Sequence, residues 1–390
     1  MELKKINLLV FTRDYPIGLA CTKRVQHLLA FLILKEICIN VISYRSKNNQ
    51  PAIKGSYNGI NYLNIGLGTD LKLQHLHKVI IYFIQGLSAI SNYRKRNNSN
   101  ILYCTGGISI ENIHFILWAK ILGYKLLFAI EEDYSFFNDK IKMSSRFKYW
   151  TINRFDILTC HLATAIVVIS TNLLNKYSKQ RARNLVLIPI TAKLNYDNER
   201  KEFNNPLRIV YAGTFGDKDG VNHIIEGFEL FYSKYKNAQL ILIGKSEQQL
   251  KYKEKYNNRS NIIFKGYVPD DEFYFLLKHS DVLCMCRTGS GFANAGFPFK
   301  LGEYLATGNP VISTKVSDVE YYLTNNDAFL IDPDCSQQVC FALNEIVKNP
   351  EKAREIGLNG LQKCKEFFSQ ERNGKILYDL IMKISGKKYS

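Results

Sequence analysis

The stretch that decides the fold is LRIVYAGTFGDKDG, residues 207–220. An apolar run of strand length, Leu207–Ala212, leads into a loop with three glycines and one lysine, and a helical pattern begins at Val221. Backbone amides and one ammonium group in such a loop are suited to hold a phosphate. A plain structural turn is the alternative, because the glycine spacing matches neither a P-loop nor the dinucleotide-binding fingerprint. Residues 207–220 therefore predict a strand, a loop that can bind an anion, and a helix.

Short apolar strands alternate with helical patterns on both sides of this stretch, which is typical of parallel α/β sheets. Residues 191–206 interrupt the pattern because they are polar, rich in asparagine and almost free of apolar residues, and we interpret them as a linker. The sequence thus predicts an α/β fold with two Rossmann-like, doubly wound domains, residues 1–190 and residues 207–369, that face each other across a cleft. It leaves open whether the final helical segment, residues 370–390, packs back on the first domain.

The predicted elements have the lengths and flanking turns expected of an α/β protein. The predicted strands are Ile6–Phe11, Ile39–Tyr44, Ile101–Tyr103, Lys125–Ile130, Ala165–Ser170, Leu185–Ile190, Leu207–Ala212, Gln239–Ile243, Asn261–Phe264, Val282–Cys286, Pro310–Thr314 and Phe329–Ile331. The main predicted helices are Thr22–Lys35, Leu71–Ile90, Ile110–Leu122, Glu351–Phe368 and Gln370–Ile384. Most such helices cover a sheet, but the basic surroundings of Leu71–Ile90 leave a membrane-facing role as an alternative.

The composition is that of a folded protein with a surplus of positive charge. Apolar residues make up 46% of the chain and charged residues 22%, which excludes a disordered chain, and the net charge is +17. Arg45–Asn100 holds eight basic residues and one acid, and Lys140–Asn184 holds nine and one. Such a surface fits phosphate-bearing substrates, an anionic membrane face, or solubility alone. We expect no nucleic-acid partner, because the chain has no helix-turn-helix, zinc-finger or aromatic-basic RNA-binding signature.

The cysteines and the apolar runs predict a cytoplasmic protein. The nine cysteines form no CxxC pair, so we expect buried free thiols in a reducing compartment and no metal site. No apolar stretch reaches the ~18 residues of a membrane-spanning helix. The run Ile6–Phe11 is too short for the core of a signal peptide.

The richest loop region is residues 286–314, CRTGSGFANAGFPFKLGEYLATGNPVIST. Pro298 stands where a helix would begin, Glu303 lies about one and a half turns into that helix, and Gly308–Asn309–Pro310 ends it. A carboxylate near such a helix start can accept two hydrogen bonds from a ribose diol, while Lys300 and backbone amides face a phosphate. A surface position for Glu303 is the alternative.

With this region the sequence resembles the retaining GT-B glycosyltransferases, in particular glycosyltransferase family 4, the "glycosyl transferases group 1" family. The resemblance covers most of the chain and is strongest from Leu207 to Pro333. It is carried by Ile209–Gly213 with Lys218–Val221, by Leu240–Gly244, Ile263–Val268, Ser280–Leu283 and Lys300–Ile312, and by an N-terminal loop with Asp14–Tyr15–Pro16, Gly18 and Arg24.

The resemblance implies an enzyme that moves a sugar from a nucleotide-sugar donor to a saccharide or lipid-linked acceptor, as in the biosynthesis of surface polysaccharide. No metal or other cofactor is implied. The first domain would handle the acceptor, and the second would bind the donor. Lys218 would neutralise the diphosphate and Glu303 would hold the ribose. The implied donor contacts are Gly18, Gly213, Thr214, Arg287, Asn294, Gly296, Phe297 and Lys300, with Gly296 and Phe297 acting through their backbone.

Three departures from the family pattern concern the site. Ala295 stands where the family often has a glutamate, and Asn294 is a candidate substitute. Thr214 stands where an arginine is common, so Arg287 or Lys300 would supply the charge. Where many relatives have a histidine after a strand of the first domain, this chain has three acids, residues 131–133. We take Glu132 as the candidate catalytic carboxylate; surface acids are the alternative.

Two other functions stay open at this point. One is a nucleotide-sugar epimerase with the same architecture, and the other is a catalytically silent scaffold on an anionic membrane. The lopsided basic charge favours a peripheral position on the inner face of the cell membrane. The sequence does not identify the base or the sugar of the donor.

Overall fold

The computed structural model of the protein describes residues 5–18, 20–44, 53–66, 76–133, 136, 143–194 and 202–386, and at 76–81, 143–149 and 151–153 it describes the backbone alone. The chain divides into two compact units. Unit 1 consists of Met1–Pro189 with Gln370–Ser390, and unit 2 consists of Ile190–Ser369.

Unit 1 is built on a sheet whose described strands number eight, in the order β3-β4-β2-β1-β5-β6-β7-β8. Only the β3–β4 pair among the described pairs is antiparallel. The strands are β1 (Ile6–Thr12), β2 (Ile37–Ser43), β3 (Lys54–Tyr57), β4 (Ile60–Asn64), β5 (Ser99–Thr105), β6 (Lys125–Ile130), β7 (Ala165–Val168) and β8 (Leu185–Leu187). The strand order reverses direction between β1 and β5, so the crevice at their carboxyl ends is the expected ligand position.

The helices of unit 1 cover a sheet whose central strands are buried along their whole length. Each contains a central apolar run, Leu8–Phe11 in β1 and Ile101–Cys104 in β5, which is typical of parallel strands covered on both faces. The described helices are α1 (Ala20–Leu32), α2 (Leu76–Tyr93), α3 (Ile113–Ile121), α4 (Met143–Leu162), α5 (Thr171–Lys179) and, from the end of the chain, α14 (Gln370–Ser385).

Unit 2 is a parallel sheet of six strands in the order β11-β10-β9-β12-β13-β14. The strands are β9 (Leu207–Ala212), β10 (Ala238–Ile243), β11 (Ile262–Gly266), β12 (Val282–Met285), β13 (Val311–Thr314) and β14 (Phe329–Ile331). The helices are α6 (Val221–Lys234), α7 (Glu247–Lys255), α8 (Asp270–Lys278), α9 (Gly291–Ala295), α10 (Phe299–Leu305), α11 (Val319–Tyr322), α12 (Ser336–Lys348) and α13 (Pro350–Phe368). The point where the strand order reverses lies between β9 and β12.

Each predicted strand has a counterpart in the structure, and the helix predicted to start at Pro298 is α10. The sequence prediction missed the edge hairpin of β3 and β4. Its turn is Asn58–Gly59, with positive φ at both residues, as hairpin turns favour. Of the predicted helix Leu71–Ile90, residues 71–75 lie outside the described residues, and α2 extends to Tyr93.

The last helix, α14, supplies apolar side chains to the core of unit 1. Leu377, Ile381 and Ile384 belong to the same buried cluster as Leu28 of α1. At the start of unit 2, Ala192 is buried and its backbone N–H donates to the carbonyl of Phe368 at 2.8 Å. The rest of the segment interpreted as a linker is described only at residues 193–194 and 202–206.

None of the helices that the structure describes combines the length and the apolar character needed to cross a membrane.

Candidate functional site

Two loops of unit 2 lie against each other at the point where the strand order reverses. One follows β9 and the other follows β12. The backbone N–H of Thr288 donates to the carbonyl of Lys218 at 3.1 Å. Gly220 has φ +57°, and a Cβ there would lie 1.9 Å from the carbonyl oxygen of Cys286. The close approach of the two loops thus requires glycine at position 220.

The ammonium group of Lys300 lies over the loop that follows β9. Its Nζ is 3.4 Å from the hydroxyl of Tyr211 and 3.8 Å from Oδ1 of Asp219. A Cβ on Gly213 would come within 1.9 Å of that Nζ. The absent side chain at position 213 therefore makes the space that the Lys300 ammonium occupies.

Asp219 organises this loop, although the sequence prediction gave it no role. Its side chain is 7% exposed. Its Oδ2 accepts hydrogen bonds from Oγ1 of Thr214 at 2.9 Å and from the backbone N–H of Gly216 at 3.1 Å. Burial opposes its ionisation, but Lys300, Arg287 and the Thr214 hydrogen bond together lower the pKa of the Asp219 carboxyl. The available signal was an acid between a lysine and a glycine in the loop that the sequence predicts to bind an anion.

Three cations and two carboxylates meet at this site. Burial lowers the pKa of Lys300, and the charges of Arg287 and Lys218 act in the same direction, whereas Asp219 and Glu303 oppose them. The other four charged groups therefore lie within electrostatic range of the Lys300 ammonium group. Positive charge is in excess, so the site favours an anion.

Lys218 and Arg287 are both directed at α9. The Nζ of Lys218 lies 4.6 Å from the ring centroid of Phe292, a cation–π contact. Nη1 of Arg287 donates to the carbonyl of Ala293 at 3.4 Å. Contacts with α9 thus hold two of the predicted phosphate-binding cations.

Glu303 and Lys300 share α10, and Tyr304 fixes that helix to β9. The hydroxyl of Tyr304 accepts a hydrogen bond from the backbone N–H of Ala212 at 2.8 Å. Glu303 is half-buried. The structure therefore brings Glu303 together with Lys218, Arg287 and Lys300, while its role at a ribose stays a prediction.

The residues at the end of α9 and before α10 are held by their own contacts. The Asn294 amide donates to the carbonyls of Gly289 and Ser290, and its Oδ1 accepts from the backbone N–H of Ser317 at 2.9 Å. Ala295 and Gly296 are buried. The Phe297 ring packs on Tyr322 and Phe368. Donor contacts of Asn294, Gly296 and Phe297 stay predictions.

Two predicted site residues, Gly18 and Glu132, belong to unit 1. A Cβ on Gly18 would meet Oγ1 of Thr22 at 2.0 Å, so the loop before α1 packs tightly on that helix. Glu132 is half-buried just after β6, and its catalytic role stays a prediction. Its neighbour Asp133 accepts from Nζ of Lys176 at 2.9 Å.

Within the described part of the chain, no three His, Cys, Asp or Glu side chains converge in a way that could hold a metal ion.

Residues 193–363 match the family described as Glycosyl transferases group 1. The chain is similar to the capsular polysaccharide biosynthesis glycosyltransferase CapM of Staphylococcus aureus, with 21% identity over 246 residues. That match covers 58% of this chain and 63% of CapM, so the chain spans less than two thirds of that relative.

The fold is shared, over nearly the whole chain, with solved structures that include the following two. Sucrose-phosphate synthase from Thermosynechococcus elongatus is 15% identical with a TM-score of 0.74, and the match covers 97% of this chain and 99% of that one. Anabaena HepE in complex with UDP and glucose is 12% identical with a TM-score of 0.71, covering 96% and 98%. These likenesses confirm the α/β fold of GT-B type that the sequence predicted.

Proposed function

We propose that this protein, whose residues 193–363 match the glycosyl transferases group 1 family, is a retaining glycosyltransferase that takes its sugar from a nucleotide-sugar donor. The observation that carries the proposal is the cluster of Lys218, Arg287 and Lys300 around Asp219 where the strand order of unit 2 reverses. Ligands of doubly wound sheets bind at this position. HepE, which shares the fold, is described with UDP and glucose bound.

The cations suit the chemistry of such a transfer. When the bond between the anomeric carbon and the diphosphate breaks, negative charge develops on the leaving phosphate. Positive groups already fixed around that position stabilise the charge without reorganising. Glu303 would accept hydrogen bonds from the ribose hydroxyls, and the amides of the loop after β9 would face the phosphates. Since side chains supply the positive charge, we expect transfer to persist in EDTA.

The acceptor in this proposal is a saccharide or a lipid-linked saccharide used in building surface polysaccharide. The support is the similarity to CapM, named for capsular polysaccharide biosynthesis. The basic surface of unit 1 also fits an acceptor that carries a diphosphate.

We expect product NMR to show the anomeric configuration of the donor.

Thermal unfolding with UDP, GDP and ADP tests the donor site. At a concentration of 100 times Kd, the matching nucleotide should stabilise the protein by about 2.7 kcal/mol, which corresponds to roughly 5–10 °C for a unit of this size. Glu303→Ala should reduce the shift, whereas Glu345→Ala, a change at an exposed acid of α12, should not. The absence of a shift with all three nucleotides would contradict the proposal.

Incubation of the protein with a nucleotide sugar and no acceptor separates the two alternatives. An epimerase would release an isomerised nucleotide sugar, detectable by chromatography. A silent scaffold would bind vesicles but leave the donor intact and its own melting temperature unaffected by nucleotides.

The proposed location is the cytoplasmic side of an anionic membrane, and its support is one face of α4. Trp150 and Ile157 are 55% and 58% exposed. With Arg154 they follow the i, i+4, i+7 spacing that places side chains on one helix face. The guanidinium of Arg154 lies 5.4 Å from the ring centroid of Trp150. An aromatic, an aliphatic and a cationic group on one basic face suit an interface with anionic lipid.

Sedimentation with vesicles tests this location. The protein should bind vesicles that contain phosphatidylglycerol more tightly than neutral ones, and Trp150→Ala with Ile157→Ser should weaken that binding. Phe341→Ala, at an exposed apolar residue of unit 2, serves as the control. Equal sedimentation of the unaltered protein, the double variant and the control would show that α4 does not contact the membrane. The membrane-facing role predicted for Leu71–Ile90 stays a prediction.

A further inference from the structure

We propose that Glu131, held in place by the buried Arg24, is the carboxylate with which unit 1 binds a hydroxyl group of the acceptor sugar. This inference rests on the proposed function. It assigns the binding of an acceptor hydroxyl to Glu131, the neighbour of the predicted catalytic residue Glu132, and it makes Arg24 a positioning residue.

Glu131 lies at the carboxyl end of the sheet in unit 1, directly after β6. Its carboxylate forms a hydrogen bond with the Cys21 side chain, which also bonds to Thr105 at the end of β5. The hydroxyl of Thr105 donates to that of Thr12, at the end of β1, at 3.0 Å. The Glu131 carboxylate, linked in this way to the ends of β5 and β1, therefore borders the crevice between these strands. The strand order reverses there, and a ligand of unit 1 is expected at that position.

A fully buried cation fixes the carboxylate. The side chain of Arg24 is 0% exposed and that of Glu131 is 18% exposed. Nη1 of Arg24 donates to Oε1 of Glu131 at 3.2 Å, and Nη2 donates to the carbonyl of Ile188. Because a buried guanidinium is costly without partners, these two contacts restrict both side chains to one arrangement. The partial exposure of Glu131 then gives an immobilised carboxylate access to a ligand.

Cys21 acts in this group as a neutral donor. Burial raises the pKa of its thiol well above the ordinary value, and the neighbouring Glu131 charge acts in the same direction. The protonated thiol can donate to the carboxylate but is a poor nucleophile. The site is therefore suited to hold a hydroxyl group by hydrogen bonding, without covalent chemistry at the sulfur.

The neighbouring acids have different surroundings. Asp133 and Asp156 both accept from Nζ of Lys176, at 2.9 and 2.7 Å, so that Asp133 fixes the loop after β6 to α4 and α5. Glu131 combines a buried cationic partner with partial exposure. A carboxylate can accept several hydrogen bonds, so the bond to Arg24 leaves capacity for a sugar hydroxyl.

Steady-state kinetics on conservative variants of the full chain test the proposal. The donors are UDP-glucose, UDP-N-acetylglucosamine, GDP-mannose and ADP-glucose, and the acceptors are octyl glycosides of the common hexoses. Glu131→Gln and Glu131→Asp should lower kcat/KM for the acceptor about 10- to 100-fold. The KM for the donor and the nucleotide-induced melting shift should stay within about twofold of the unaltered protein, since those belong to unit 2.

Two further variants separate a positioning role from a structural one. Arg24→Lys should raise the acceptor KM and leave the donor KM unchanged, because lysine lacks the second donor arm that bonds Ile188. Glu36→Gln, a change at an exposed acid of unit 1, should match the unaltered protein. Glu131→Asp keeps a negative charge opposite Arg24, so it remains informative if Glu131→Gln fails to fold.

Unchanged acceptor kinetics in both Glu131 variants would overturn the inference, as would a loss confined to Glu132→Gln. A decrease of equal size in kcat/KM for donor and acceptor would mean that Glu131 stabilises the fold and does not bind the acceptor. If the unaltered protein neither transfers sugar nor responds to nucleotides, the proposed function fails as well. If the unaltered protein transfers sugar and responds to nucleotides but the Glu131 variants give one of these contradicting results, the proposed function stands and only the role of Glu131 is overturned.

Discussion

At the scale of single residues, the electrostatics of unit 2 depend on one buried acid that touches three parts of the site. Asp219 accepts from Thr214 and Gly216 and faces the ammonium of Lys300. A buried carboxylate is tolerated when hydrogen bonds and a cation compensate for the water that it loses. Asp219 therefore couples the shape of the glycine loop to the position of the cation.

Asp219→Asn should destabilise unit 2 by about 1–3 kcal/mol at neutral pH, because a charged hydrogen-bond acceptor is lost. The folded-state pKa of Asp219 is lowered, so its stabilising contribution is fully present above about pH 4 and is lost as the pH falls through the lower folded value. The measurement is the melting temperature of both proteins from pH 7 to pH 3. The difference should shrink below about pH 4, and a constant difference would contradict the assignment.

Lys300 should give nucleotide binding an alkaline limit. Its pKa is lowered from 10.5 by burial and by nearby cations, and only the protonated amine neutralises a diphosphate. Affinity for a nucleoside diphosphate should therefore hold at lower pH and fall as the pH rises through the lowered pKa. Titration calorimetry between pH 7 and pH 10 measures this. The arginine in Lys300→Arg stays charged in that range. Parallel pH profiles for the two proteins would therefore show that Lys300 is not the group whose deprotonation weakens binding.

At the scale of elements, glycines set how closely the loop after β9 approaches the loop after β12. Gly220 joins the turn at Asp217–Asp219 to α6 and lies against the backbone of Cys286. Gly266 at the end of β11 also has positive φ, but a Cβ there would meet nothing within 4 Å. A comparison of the two positions therefore separates the cost of the backbone conformation from the cost of a steric contact.

Gly266→Ala should cost about 1–2 kcal/mol, the penalty for an L-residue in the left-handed region. Gly220→Ala should cost more and should also weaken nucleotide binding, because it forces the two loops apart. Urea unfolding midpoints and nucleotide titrations on both variants provide the comparison. Equal changes in stability and in nucleotide affinity for the two variants would show that the contact between the two loops contributes to neither.

At the scale of the whole molecule, unit 1 takes its last helix from the part of the chain that follows unit 2 in the sequence. The helix α14 follows Ser369 and places Leu377, Leu380, Ile381 and Ile384 in the core that surrounds β1. Apolar burial of this kind supplies most of the stability of a unit. The core of unit 1 therefore depends on residues from both ends of the sequence.

Ile381→Ala should destabilise unit 1 by about 2–5 kcal/mol through loss of buried apolar volume. Hydrogen exchange should accelerate in β1 and β5, while β9 and β10 of unit 2 keep their protection. Lys383→Ala, at an exposed position on the same helix, is the control. Acceleration of equal size in both sheets would show that the units do not respond separately.

The amino-acid sequence by itself determined the features that depend on neighbours along the chain. Strand and helix periodicity predicted the two doubly wound sheets, and Lys218, Lys300 and Glu303 stand in local patterns that can be recognised without coordinates. The hairpin of β3 and β4 was missed because edge strands carry a weaker apolar pattern, although its Asn58–Gly59 turn was visible.

Only the tertiary structure decided which charged and polar groups meet. Arg24 and Glu131 are 107 positions apart, and Lys300 and Tyr211 are 89 apart. Their contacts follow from the order of strands in a sheet and from the volume left free at Gly213, and no local pattern encodes either. Charge and periodicity are properties of short segments, whereas burial, and with it the strength of an electrostatic interaction, is a property of the folded chain.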